Sequence, residues 1–172
     1  METSIDDSRN DSRNIHAHPG VGRVREALLR YGIKNNIIVT PTATHTAQAA
    51  ADALGCSIGE IAKSIIFRAG ARAVLVITSG KNRVDDKKVA ALIALTVSKA
   101  DADFVRAQTG FVIGGVAPLA HTVAPIVLMD QDLLGFEHVW PAAGHPNTMF
   151  QISPVQLAEI TQARIADIAL MK

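Results

Sequence analysis

Residues 63–78 read Lys63-Ser64-Ile65-Ile66-Phe67-Arg68, then Ala69-Gly70-Ala71, then Arg72-Ala73-Val74-Leu75-Val76-Ile77-Thr78. Two apolar, β-branched runs flank a link of small residues, a pattern that predicts a β-hairpin. Upstream, Ser57-Ile58-Gly59-Glu60 has capping-box spacing and predicts a short helix running into the hairpin. Before it, residues 46–54 are alanine-rich and helical, with Gly55 as the stop, and residues 36–40 form a short strand-like run. Val24, Ala27, Leu28 and Tyr31 recur at helical spacing, and Gly32 follows as a C-terminal stop. Downstream, residues 79–84 are a polar loop, and Asp85 or Asp86 caps a helix through Leu95. A helix over 101–108 is closed by Gly110. A brief strand over 111–113 follows, then a Gly/Pro loop to Thr122. Residues 125–129 and 138–141 read as strands around a turn or short helix at 131–134, and 148–152 as a further strand. Ser153-Pro154-Val155-Gln156 joins an N-cap, Pro at the first helical position and Gln at the third, a strong helix start.

Strands and helices are interspersed without strict βαβ repetition, and hairpin spacing also occurs. The fold class expected is α+β (mixed α/β): one domain over residues 19–172, with a mixed sheet curling into a partly open barrel flanked by helices. Residues 1–18 read as a polar tail. Asp7-Ser8-Arg9-Asn10 is repeated at once over 11–14, and such a segment has no apolar face to bury, so disorder is expected there.

Composition narrows the function. The 172 residues hold 17 Lys+Arg against 16 Asp+Glu, a net charge of +1, so a broad grip on duplex nucleic acid is excluded and any such contact must be small and local. Aromatic residues are 4% of the chain, too few for a stacking platform along a single strand. Cys56 is the single cysteine, so neither an intrachain disulfide nor a cysteine-rich zinc site is expected. No apolar stretch has membrane-spanning length, and the N-terminal residues lack the apolar region of a signal peptide. The cytoplasm is the expected location.

Familiar catalytic patterns are missing. There is no Gly-x-Gly-x-x-Gly; Gly80-Lys81 falls short of a Walker loop; no nucleophile elbow occurs; the six histidines show no metal-ligand spacing. No cofactor and no metal are expected, and catalysis would come from positioning and backbone dipoles. Four features remain as candidates. Lys63 stands at the front of an apolar strand, either snorkelling or holding an anion. Gly114-Gly115-Val116-Ala117-Pro118 is either a tight turn or a backbone that approaches a ligand and offers its N–H groups to an oxyanion. Ala143-Gly144-His145-Pro146-Asn147 is a turn whose histidine can line a pocket. Thr44-His45-Thr46 opens a helix, where a cap or an anion site is found.

Taken in order, His45-Thr46, Ile61-Ala62-Lys63-Ser64, Val76-Ile77-Thr78-Ser79-Gly80, Val84-Asp85, Gly114 to Pro118 and Ala143-Gly144-His145 resemble the YbaK/ProXp family of aminoacyl-tRNA deacylases. The same fold serves as the editing insertion of bacterial prolyl-tRNA synthetases. The resemblance covers about residues 21–170. It implies a trans-editing hydrolase that cleaves the ester of a mischarged tRNA carrying Ala, Cys, Ser or Thr, mostly on tRNA(Pro). It would use backbone amides and the substrate's ribose hydroxyl in place of a protein nucleophile. It implies catalytic roles for Lys63, Gly114, Gly115 and Pro118, and substrate binding by His45, Thr46, Ser64, Ser79, Val116, Ala117, Gly144 and His145. The partners implied are the acceptor end of an aminoacyl-tRNA and a synthetase or elongation factor, with neither membrane nor DNA. A non-catalytic module of the same fold, binding tRNA ends or a synthetase, is the alternative; a hydrolase for another small aminoacyl ester or amide is a third reading.

Overall fold

The hairpin forms the middle of the sheet. The structure is a computed structural model and describes residues 14–34, 36–41 and 44–171. Strands β2 (Ile61–Ala69) and β3 (Arg72–Ser79) pair antiparallel from Ala62↔Ser79 to Ala69↔Arg72, with Gly70 at φ +60° in the turn. Its free edge gives β3 a parallel neighbour, β5 (Ile126–Asp130), and β5 pairs in parallel with β8 (Arg164–Ala166). The outer edge of β2 is shared between β4 (Ser98–Lys99) near one end and β6 (Trp140–Pro141) at the other. The order is β4-β2-β3-β5-β8, so the sheet is mixed and its ends do not meet. A second small sheet pairs β1 (Ile38–Val39) with β7 (Thr148–Met149).

Both faces of β3 are covered, which is why its sequence is a continuous apolar run. Leu75 and Ile77 pack on one face with Val21, Val24 and Leu28 of α1 (Pro19–Arg30), Val105 of α4 (Ala102–Thr109) and Leu157 of α5 (Pro154–Thr161). Val74 and Val76 pack on the other with Val89 of α3 (Asp86–Ile93) and with Ile168. Helix α2 (Ala47–Leu54) lays Ala50 and Ala51 against Ile61 and Met149 in a third cluster.

The caps follow the sequence closely. Thr46, Asp85, Asp101 and Ser153 each accept a backbone N–H at the start of their helices, and Gly55 and Gly110 end helices in the left-handed conformation. Ser57 and Glu60 form the expected capping box, over a short 3-10 turn, Ile58–Glu60.

Three expectations need correction. Residues 111–113 are a turn, not a strand: Thr109 Oγ1 takes the Phe111 N–H at 3.0 Å, and Gly115 donates to Val112 O at 3.0 Å, so no ladder forms. Strands β4 and β8 were not expected, being two and three residues long and too short to show alternation. Residues 1–13 lie outside the described residues; of 14–18, assigned to the tail by their polarity, Asn14, His16, Ala17 and His18 are exposed, and two contacts tie the segment to the domain. Ile15 is buried, and His18 caps α1 by accepting the Gly20 N–H at 3.1 Å.

Truncating the two-faced strand should be costly. Leu75→Ala is expected to lower unfolding free energy by about 2–5 kcal/mol. Val155→Ala, on the exposed face of α5, should change it by less than about 0.5 kcal/mol. Urea denaturation of the two variants checks the contrast.

Candidate active site

A cavity of about 250 Å³ opens between the start of β2, the N-terminus of α2 and the 110–118 loop. Lys63 and Ser64 stand on its β2 wall; Thr44, His45 and Thr46 border it at the helix start; Gly114 and Val116 come from the loop. Ala50, Ala62 and Met149 make its apolar floor. The N-terminus of α2, the positive end of its dipole, and Lys63 therefore border one opening.

Lys63 Nζ donates to the Asn82 backbone carbonyl at 3.0 Å. Burial pushes its pKa down from the usual lysine value, Arg83 nearby pushes the same way, and Asp130 opposes them. An ammonium has three donors, so two remain for a ligand. Ser64 Oγ is buried and finds no hydrogen-bond partner among the described residues. An unsatisfied buried hydroxyl costs about 1–3 kcal/mol.

In the glycine loop the two neighbours do different work. Gly114, at φ +89°, is exposed, and a Cβ there would meet open space. Gly115 is buried, and a Cβ on it would come within 2.8 Å of the His145–Pro146 backbone, so its smallness serves packing. Its N–H is spent on Val112 O. Gly115 is thus not available as an oxyanion donor as expected, while the N–H groups of Gly114 and Val116 meet no backbone acceptor among the described residues. Ala117 and Pro118 are buried behind the loop and do not line the cavity.

Ser79, Gly144 and His145 also lie off the cavity wall. Ser79 Oγ donates to Gly59 O at 2.7 Å inside the core. Gly144, at φ +99°, sits against the backbone of Gly20, which leaves no space for a side chain. The His145 ring packs edge-on against His18 at 5.2 Å, and its Nδ1 accepts the Asn147 N–H. Gly144 and His145 shape the loop that carries Pro146 and Thr148 into the cavity wall. Cys56 is no activated nucleophile: burial and the Glu60 carboxylate raise its thiol pKa.

Two supports were not foreseen. His121 Nε2 lies 2.7 Å from Ala117 O, and a carbonyl only accepts, so the proton sits on Nε2. His121 also packs edge-on against Phe111, over which Arg23 lies while donating to Gly110 O at 3.0 Å. The second is Asp130, fully buried at the end of β5 beneath Asn82.

The model of the aminoacyl-tRNA editing domain matches residues 41–160. The chain belongs to this family. A crystal structure described as that of a proposed trans-editing enzyme for prolyl-tRNA synthetase superposes with a TM-score of 0.85 at 37% identity, covering 90% of this chain and 99% of that one. The crystal structure of the hypothetical protein APE2540 superposes with a TM-score of 0.79 at 30% identity, covering 86% and 99%. The uncharacterized protein YwhH of Bacillus subtilis (strain 168) is 30% identical over 143 residues, 83% of this chain and 91% of that protein. The editing domain thus accounts for the partly open mixed sheet. Among the described residues no helix is long and apolar enough to cross a membrane.

The half-buried His121 is expected to give the domain a pH dependence. Burial first, and Arg23 third, lower the His121 pKa below its ordinary 6.5, against the raising effect of the Ala117 carbonyl. The unfolded chain then binds the proton more readily, so stability is full above about 6.5 and declines as pH falls toward the folded value. The thermal midpoint of the wild type should drop over that interval, and His121→Gln should flatten the slope.

Proposed function

We propose that this editing domain is an aminoacyl-tRNA deacylase acting in trans on tRNAs that carry a small amino acid. The observation that carries the reading is the meeting of Lys63, the α2 N-terminus, Gly114 and Val116 on one cavity, with no backbone acceptor for the amides of the last two among the described residues. Its volume of about 250 Å³ lies below the 300–1,000 Å³ or so of sites that enclose a drug-sized ligand, so it suits an aminoacyl end rather than a whole nucleotide. The Lys63 ammonium anchors the phosphate–ribose end of the substrate as a point charge. The ester carbonyl lies toward the loop, where backbone N–H groups stabilise the oxyanion; a donor of this kind is worth on the order of 10²–10³ in rate. Water attacks the carbonyl carbon, the bond to the ribose oxygen breaks, and the proton passes to that oxygen. The neighbouring ribose hydroxyl assists, and no side-chain nucleophile takes part.

Ala50, Ala62 and Val116 favour a small amino acid, and exclusion of larger groups works as a sieve. Alanine, serine, cysteine and threonine remain the candidate cargoes, with tRNA(Pro) the expected carrier.

A panel of Ala-, Ser-, Cys- and Thr-charged tRNAs tests the proposal. The wild type should cleave at least one above the spontaneous rate. Lys63→Ala should lower kcat/KM by on the order of ten- to a hundredfold, the worth of a charged hydrogen bond. Cleavage of none would favour the non-catalytic binding module. Ser64→Ala should leave kcat/KM near the wild-type value and thermal stability unchanged or higher, because it removes a buried, unsatisfied hydroxyl. With a net charge of +1, binding should depend shallowly on salt, reporting few phosphate contacts.

A further inference from the structure

The cavity accounts for where Lys63 points but not for what holds it there. Asp130 has no exposed surface, yet no lysine or arginine forms an ion pair with it among the described residues. Its oxygens accept only from neutral groups. Oδ2 takes Thr78 Oγ1 at 3.2 Å, the Ser79 N–H at 3.1 Å and Asn82 Nδ2 at 2.9 Å. Oδ1 takes the Asp132 N–H at 3.0 Å. Asn82 Nδ2 donates a second time, to Asp132 Oδ2 at 2.7 Å. Both amide protons are thereby committed to carboxylates from one neighbouring segment, which fixes the orientation of the Asn82 side chain. The backbone carbonyl of the same residue receives the Lys63 ammonium.

We infer that Asp130 and Asn82 are positioning residues for Lys63: the buried carboxylate orients Asn82, and the Asn82 carbonyl fixes the ammonium at the cavity. What Lys63 grips rests on the deacylase reading; the relay itself does not. Asp130 alone could be a structural cap, since it also starts the 3-10 turn Gln131–Gly135. The chain of contacts through Asn82 to Nζ is what a cap does not need. A lysine stem is flexible and costs up to about 2 kcal/mol of rotamer entropy to immobilise, so a pre-set carbonyl lowers what the substrate must supply.

The charges around Lys63 make the relay measurable. Arg83, on the same loop as Asn82, repels the ammonium; Asp130, at the end of β5, attracts it. Asp132 follows in the turn after β5, and His45 borders the cavity from the α2 side. Replacing Asp130 by its neutral isostere leaves burial and Arg83 unopposed. Removing the Asn82 side chain frees the loop and loosens the acceptor for the charged form.

The test is a titration of the full chain labelled with ¹³C-lysine, following the Lys63 Cε resonance, assigned by its loss in Lys63→Arg. Asp130→Asn and Asn82→Ala should each move the Lys63 titration to lower pH. Thr78→Val removes one bond to the same carboxylate while keeping its charge, so it should lower the thermal midpoint and leave the Lys63 titration in place. Should Asp130→Asn fail to fold, Asn82→Ala, at a partly exposed loop position, carries the test. An unmoved Lys63 resonance in the folded variants overturns the relay. On charged tRNA, Asn82→Ala should raise KM by on the order of tenfold or more with a smaller change in kcat. It should add no loss to Lys63→Ala, and additive losses overturn the relay. Absence of ester cleavage by the wild type would sink the deacylase reading, while the titration still decides the relay.

Discussion

Burial of β3 on both faces is the constraint from which the rest of the structure follows. A strand with α1, α4 and α5 on one side and α3 on the other carries its one charge, Arg72, at its exposed first position and none beyond it. Its backbone must be paired on both edges, by β2 and by β5. Where the strand ends, at Thr78 and Ser79, polar groups are still buried and need acceptors. Asp130 and the Gly59 carbonyl provide them. The buried carboxylate is thus set by the strand's own termination, and the loop 80–84 is drawn over it.

The site grows at that same end of the sheet. Lys63 pairs with Thr78 across the ladder, so the residue that faces the cavity sits beside the residue that contacts Asp130. One register places both. A slip of one residue would turn Lys63 to the opposite face, so the hairpin geometry and the electrostatics of the cavity are not independent.

Local chemistry was legible in the sequence, and contacts between distant segments were not. The hairpin, the helix caps at Thr46, Asp85, Asp101 and Ser153, and the glycine stops each depend on a few adjacent residues. The order of motifs also placed Lys63, Ser64, Gly114 and Val116, and these share the cavity. Asp130 and Asn82 are 48 positions apart, and neither stands in a pattern that marks it. Residues 111–113 misled because Phe-Val-Ile has strand composition, whereas the positive φ of Gly110 and the Thr109 hydroxyl turn the chain before pairing can start. Gly115 and Gly144 read as flexible or ligand-facing, yet both are places where two backbones touch.

The contact of Gly144 with Gly20 has a consequence for where this molecule can be divided. The family model matches residues 41–160, but α1 lies before that segment and puts Val21, Val24 and Leu28 into the main core, while Ile168 lies beyond it in the second. The family model therefore marks less than the packed core, and the longer overlap with YwhH, 143 residues, and with the trans-editing structure, 90% of this chain, takes in more of it. A fragment trimmed to the shared segment would expose one face of β3 and release the loop next to the cavity. In this protein the packed core reaches past both ends of the segment that the family model marks.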